Sequence, residues 1–156
     1  VEALWQPLPA IGAIERAWIA RFRQHRGAGR CGLLLTGENA ALDPLARMGA
    51  IAGCLSRNFV RARVFPLHEA LSAVANGEPI AATCLLIPDF ATARRAERQQ
   101  PAWRQHHVTA LLTERWSDAA VQTVLYAPTL EAVAVEYGAY VRDLLRNHFI
   151  QARIDA

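Results

Sequence analysis

A chain of 156 residues with 53% hydrophobic and 20% charged residues can form one domain with a full core, which excludes a disordered protein. No apolar run is long enough to span a bilayer and no secretion signal is visible, so we expect a cytoplasmic protein that does not enter a membrane. All 17 basic residues are arginine, which excludes a phosphate-loop lysine or any other lysine chemistry.

Charge is distributed unevenly along the chain. Residues 1–63 carry nine arginines against four acids, whereas residues 64–156 carry eight against ten. Such asymmetry is typical of a surface that binds nucleic acid or an acidic partner, and a solvated basic helix explains it equally well.

The three cysteines, Cys31, Cys54 and Cys84, are far apart and each lies in an apolar stretch. Ligand spacing such as CxxC is missing, so we expect buried reduced thiols and no metal site.

Apolar periodicity and turn residues divide the chain into alternating helices and strands. In chain order they predict a basic amphipathic helix from Ile11 to about Arg26, a strand over 31–37, a helix over 43–58, a strand over 59–65, a helix over 67–75, a strand over 83–87, a loop over 91–101, a helix over 103–117, a strand over 121–127, a helix over 130–145 and a strand over 149–154.

This order predicts one α/β domain over 1–156, with an N-terminal helix and basic lead-in over 1–30 and a sheet core over 31–156. We expect a three-layer sandwich with a five-stranded, mainly parallel sheet, in which strand 83–87 lies between 59–65 and 121–127. Ligands of such sheets bind at the carboxyl ends of the strands.

The apolar run 33–37, which ends in Gly37, resembles the strand that enters the phosphate loop of the AAA+ ATPases, a family of P-loop NTPases. The closest resemblance is to the branch of bacterial helicase loaders and insertion-sequence transposition helpers. That family continues with GxxxxGK and a Ser or Thr, whereas Glu38, Asn39 and four further residues up to Asp43 supply no second glycine, lysine or hydroxyl. The resemblance therefore implies a vestigial nucleotide pocket and a pseudo-ATPase.

Two further strand ends resemble motifs of the same family. Strand 83–87 is followed by Pro88 where the family has its Mg²⁺-positioning acid, while Asp89 matches the acid that polarises the attacking water. Strand 121–127 ends at Pro128 instead of a polar γ-phosphate sensor. We therefore expect no catalytic residues, no cofactor and no metal, with Asp89 and Pro128 part of the vestigial pocket.

The last helix resembles the one that carries the family's arginine finger, which reaches the nucleotide of a neighbouring subunit. Arg146 is the matching position and Arg142 lies one turn earlier. A solvated or locally paired arginine at a helix end is the alternative. The helical lid that usually follows this core in the family is not expected.

A basic and aromatic segment adds a possible nucleic-acid surface, because arginines contact phosphate while rings stack on bases. It contains Arg94, Arg95, Arg98, Trp103 and Arg104. The resemblance implies a non-hydrolysing adaptor that contacts a protein, either an active AAA+ ATPase or a second copy, in replication, transposition or plasmid maintenance. A nucleic-acid-binding module and an enzyme of unrelated chemistry on a similar sheet are the alternatives.

Overall fold

A computed structural model describes residues 11–39, 41–98 and 100–154, so the first ten residues of the predicted lead-in lie outside this description. The strands are β1 (Gly32–Thr36), β2 (Ala62–Val64), β3 (Cys84–Ile87), β4 (Gln122–Ala127) and β5 (Phe149–Arg153). The helices are α1 (Ala13–Ala20), α2 (Pro44–Arg57), α3 (Leu67–Ala75), α4 (Ala93–Ala96), α5 (Ala102–Ser117), α6 (Leu130–Tyr137) and α7 (Ala139–His148), with a 3-10 turn at His25–Ala28.

The five strands form one parallel sheet in the order β2-β3-β4-β1-β5. The predicted five-stranded parallel sheet is confirmed, and so is the position of β3 between β2 and β4. Gly32 lies where β1 packs tightly against β4, since a Cβ atom there would lie 1.9 Å from the Thr123 carbonyl oxygen. That contact explains a glycine at the start of an otherwise apolar strand.

Helices cover both faces of the sheet, which gives the predicted three layers. On one face α1 and α2 pack on β1 through Trp18, Met48 and Leu33. On the other face α3, α5, α6 and α7 pack on the sheet through residues such as Leu111 and Leu145. Within the described ranges, β5 is the last element.

The largest differences from the elements that the sequence predicts are at four places. Helix α1 ends at Ala20 and the 3-10 turn follows it, while β2 begins only at Ala62 because residues 58–60 form the turn that caps the end of α2. The predicted loop over 91–101 contains α4, whose first turn is capped by the Thr92 hydroxyl. The predicted helix over 130–145 is divided by Gly138, which has φ +95°.

Candidate functional site at the carboxyl edge of the sheet

The carboxyl ends of β1 and β4 meet at Gly37, as the parallel register requires. The Gly37 amide donates to the Pro128 carbonyl at 3.2 Å, and the Tyr126 hydroxyl donates to the Gly37 carbonyl at 2.6 Å. Gly37, Glu38 and Pro128 line a cleft of about 320 Å³ that Arg153 also borders. The structure thus brings these three predicted residues together, but both backbone groups of Gly37 are bonded within the chain.

The loop that follows Gly37 closes on itself. The Asn39 side chain accepts the Ala41 amide at 2.9 Å, and the Asn39 carbonyl accepts the Leu42 amide at 3.0 Å. In a phosphate loop the corresponding amides point at the ligand. Asn39 therefore uses the amides of this loop for a local turn.

The start of α2 carries its own anion. Asp43 is the N-cap, and its carboxylate accepts the Ala46 amide at 3.1 Å. Pro44, the first helical residue, has no amide hydrogen, and the Arg47 amide donates to the Asp43 carbonyl at 3.2 Å. A phosphate placed here would meet a negative charge and few available donors.

The arginine in the first turns of α2 is already held in an ion pair. The Arg47 guanidinium lies 2.7 Å from the Glu15 carboxylate of α1, and the Glu15 side chain is only 2% exposed. The Gly12 amide donates to the same carboxylate at 3.2 Å. Arg47 is therefore neutralised by a buried acid and cannot replace a phosphate-loop lysine.

Asp89 follows β3 at the same edge but faces α3. Its carboxylate accepts the Leu67 amide at 2.8 Å, at the first residue of that helix. Asp89 does not line the cleft beside Gly37. In the described residues the carboxylate therefore caps a helix, which is a structural use of the acid that the family resemblance singles out.

A buried network that the sequence pattern did not predict holds the segment after β3. Arg95 forms an ion pair with Glu136 at 2.6 Å and donates to the carbonyls of Asp89 and Phe90, while the Tyr137 hydroxyl donates to the Phe90 carbonyl. Burial raises the pKa of Glu136 and of Tyr137. Arg95 thus has a structural role, and its nucleic-acid contact stays a prediction from sequence.

The remaining members of the basic and aromatic segment lie in and after α4 and at the start of α5. Arg94 and Arg98 are exposed, and the Trp103 side chain is about half exposed. The Arg104 guanidinium carbon lies 5.8 Å from the centre of the Trp103 ring. The centre of the His107 ring lies 5.5 Å from the centre of the same Trp103 ring. This surface keeps the mixture of cations and rings that the sequence predicted.

The two arginines of α7 make local pairs. The Arg142 Nε atom lies 3.1 Å from the Asp143 carboxylate, which also lies 3.6 Å from the Arg146 guanidinium. Arg146 is half exposed and pairs with Asp143 on its own helix. Its guanidinium is thus accessible to a second molecule.

The described residues can be searched for metal ligands, reactive thiols and helices that could span a membrane. There, no group of three His, Cys, Asp or Glu side chains is placed to hold a metal ion. The three cysteines are buried free thiols, as predicted, and burial raises the pKa of Cys84 to about 12. No helix within the described ranges is long and apolar enough to cross a membrane.

Comparison with solved structures identifies the fold. The chain is similar to DnaA from Aquifex aeolicus bound to AMPPCP, with a TM-score of 0.64 and 9% identity over 87% of this chain and 44% of that one. It is similar to the replication initiator DnaA bound to AMPPCP and single-stranded DNA, with a TM-score of 0.64 and 10% identity over 94% of this chain and 48% of that one. The fold is therefore that of an AAA+-like P-loop NTPase core.

The likeness extends to architecture and not to sequence. The chain spans less than half the length of these solved chains. No family model matches the sequence, and comparison with curated protein sequences finds no match.

Proposed function

We propose that this chain is a non-hydrolysing, AAA+-like adaptor that acts by protein–protein contact in a DNA-linked process such as replication, transposition or plasmid maintenance. The observation that carries the proposal is the start of α2, where Asp43 caps the helix and Pro44 removes a donor. At this point a nucleotide loop would bind phosphate. The helicase-loader or transposition-helper branch remains a prediction from sequence.

Nucleotide hydrolysis needs a cation, an acid and a polar sensor at this edge. At each of the three positions this chain either lacks the required residue or uses it in a contact within the fold. The phosphate needs a cation, but the chain has no lysine and Arg47 is paired with Glu15. Mg²⁺ needs an acid at the end of β3, but Pro88 occupies that position and Asp89 caps α3. The γ-phosphate needs a polar sensor, and Pro128 has no side-chain donor.

Exposed side chains on α6 and α7 support the adaptor role. Val135, Tyr140 and Arg146 are all exposed on these two helices. Aromatic residues and arginine are enriched where protein partners bind. An active AAA+ ATPase would receive Arg146 at its nucleotide, whereas a second copy of this chain would give a homo-oligomer.

Calorimetric titration with ATP and with ADP, each with and without Mg²⁺, tests the loss of nucleotide binding. We expect no saturable heat up to millimolar nucleotide, with an active AAA+ ATPase titrated in parallel as the positive control. Mg²⁺-dependent binding in the micromolar range would contradict the proposal. A circular dichroism spectrum of the same sample shows that the protein is folded.

Substitution of Arg146 tests the contact. Arg146→Ala should leave the thermal midpoint unchanged because exposed ion pairs contribute little. It should weaken self-association in sedimentation equilibrium, or lower the ATPase rate of an AAA+ partner in a mixed assay. Arg98→Ala, an exposed arginine on another surface, is the matched control. Equal effects of the two substitutions would remove the arginine-finger assignment.

A nucleic-acid-binding module is the second candidate, supported by the exposed Trp103 with Arg104 at its ring and by the exposed Arg94 and Arg98 earlier in the same segment. Such binding weakens steeply as salt concentration rises. An electrophoretic mobility shift at low salt checks this candidate, and Trp103→Ala should reduce the shift if this surface carries the binding.

A further inference from the structure

The end of α2 has a backbone geometry that normally contains glycine. The Phe59 amide donates to the Ser56 carbonyl at 3.1 Å, and the Val60 amide donates to the Leu55 carbonyl at 2.9 Å. These two bonds form a Schellman motif, in which the residue after the C-cap adopts a left-handed conformation. Here that residue is Phe59, with φ +61°.

Neither the backbone nor the core favours phenylalanine at this position. A bulky side chain is strained at positive φ, and glycine is the residue that such helix ends usually carry. The Phe59 side chain is 94% exposed, so burial of the ring provides no compensation. A strained residue that its surroundings do not require is evidence for a role outside folding.

The surroundings of Phe59 are basic and grooved. One groove of about 310 Å³ is bordered by Phe59 and Arg23, and a second of about 310 Å³ by Arg21 and Asn58; Val60 lines both. Arg21, Arg23 and, two residues after Phe59, Arg61 are exposed. None of the described residues that line these two grooves is acidic.

We propose that Phe59 with Arg21, Arg23 and Arg61 forms a binding surface for single-stranded nucleic acid, with the ring stacked on a base and the guanidinium groups on phosphates. Because β2, β3 and β4 begin beside the first groove, this surface lies at the amino edge of the sheet, opposite Gly37. It therefore differs from the surface around Trp103. The proposal is independent of the adaptor function.

The chemistry favours a single-stranded nucleic acid over the other occupants. A protruding ring among cations offers a base a flat face and its phosphates countercharges. A docked protein helix would need a continuous apolar groove, but arginine and amide side chains such as Arg23, Gln24 and Gln122 interrupt the apolar lining of these grooves. The bases of a duplex are already stacked on each other and give the ring no access.

Fluorescence anisotropy with a labelled oligothymidylate of about 15 nucleotides tests this surface on the full chain. Phe59→Gly should weaken binding on the order of tenfold, since one base loses its stacking partner. The same substitution should raise the thermal midpoint by about 2 to 4 °C because it relieves the strain. Phe59→Trp should keep the affinity.

Matched variants and probes separate the remaining outcomes. Arg23→Ala should lower the slope of log K against log salt by about 0.7, the value for one phosphate contact on a single strand. Binding that is lost in the Arg94→Ala/Arg98→Ala double variant and kept in Phe59→Gly would place the nucleic acid on the surface around Trp103 instead. The proposal is overturned by unchanged binding in Phe59→Gly, by equal binding of a duplex, or by binding of poly-glutamate in place of the oligonucleotide, which would assign the surface to an acidic protein.

Discussion

The carboxylate of Asp43 accepts the amide hydrogen of Ala46 at 3.1 Å, in the first turn of the helix that follows β1. In a nucleotide loop the amides at this helix end bind phosphate, so the chain itself provides the anion that a ligand would otherwise supply. A site that is already satisfied in this way gains little from a bound phosphate.

Removal of this cap should reduce stability without creating a nucleotide site. Asp43→Ala should lower the free energy of unfolding by about 1 kcal/mol, whereas Asp43→Ser, which keeps an acceptor, should cost about a few tenths. Urea unfolding gives both values. Calorimetry should detect no ATP binding to either variant, and micromolar affinity in Asp43→Ser would mean that the carboxylate alone blocks the site.

Asp89 should behave as a helix cap and not as a catalytic acid. Asp89→Ala leaves the Leu67 amide without its acceptor, and we expect a loss of about 1 kcal/mol in the free energy of unfolding. Asp89→Asn retains an acceptor oxygen and should lose less than about 0.5 kcal/mol. Chemical denaturation distinguishes the two variants, and equal stability of Asp89→Ala and the parent would exclude the capping role.

Glu136 should make stability depend on pH. Burial raises its pKa even though Arg95 lies beside it, so the folded protein binds this proton more tightly than the unfolded chain. Between the ordinary glutamate pKa and the raised value, the contribution of Glu136 to the free energy of unfolding therefore falls as the pH rises. The stability of the parent relative to Glu136→Gln should be greater near pH 5 than near pH 7.

The size of this effect has an upper limit of about 1.4 kcal/mol per pH unit for one proton. Urea unfolding of both proteins at several pH values measures it, and the variant provides the baseline for all other titrating groups. A relative stability that increases towards pH 7 would show that the ion pair with Arg95 outweighs burial.

Arg115 should be one of the most sensitive positions of the fold. Its buried guanidinium donates to the Thr123 hydroxyl at 2.7 Å and to the carbonyls of Gln122 at 2.8 Å and Ala82 at 3.2 Å. Arg115→Met keeps much of the volume but leaves these acceptors without a donor, and we expect a loss of about 3 kcal/mol.

The exposed Arg98 provides the comparison for Arg115 in thermal and urea unfolding. Arg98→Met should change the free energy of unfolding by less than about 0.5 kcal/mol. Similar values for the two variants would show that the buried hydrogen bonds of Arg115 contribute no more to stability than a surface arginine.

Much of the fold could be predicted because the central strands are short, continuous apolar runs. Leu33 to Leu35 and Leu85 to Ile87 read as buried parallel strands, and they are fully buried in the sheet. The end of α2 could not be predicted, since Phe59 gives no sign of the left-handed conformation that it adopts. Gly138 divides a helix whose apolar periodicity continues on both sides, so the sequence predicts one helix there.

For the candidate site, missing residue types could be recognised from sequence and new contacts could not. The lack of lysine and the prolines after β3 and β4 follow from the residues alone. The pairing of Arg95 with Glu136 joins residues that are distant in the chain, and only the packing of α4 on α6 brings them together. From sequence alone, Arg95 therefore cannot be distinguished from the other arginines of its segment.

The position of β1 in the sheet has a consequence for synthesis and folding. Gly32 in β1 pairs with Thr123 in β4 and with Phe149 in β5, so neither neighbour exists until most of the chain has left the ribosome. Until then this apolar strand lacks both of its hydrogen-bonding partners and is open to aggregation. A protein with this topology is expected to fold late, once its final strand is available, and to be sensitive to truncation before residue 149.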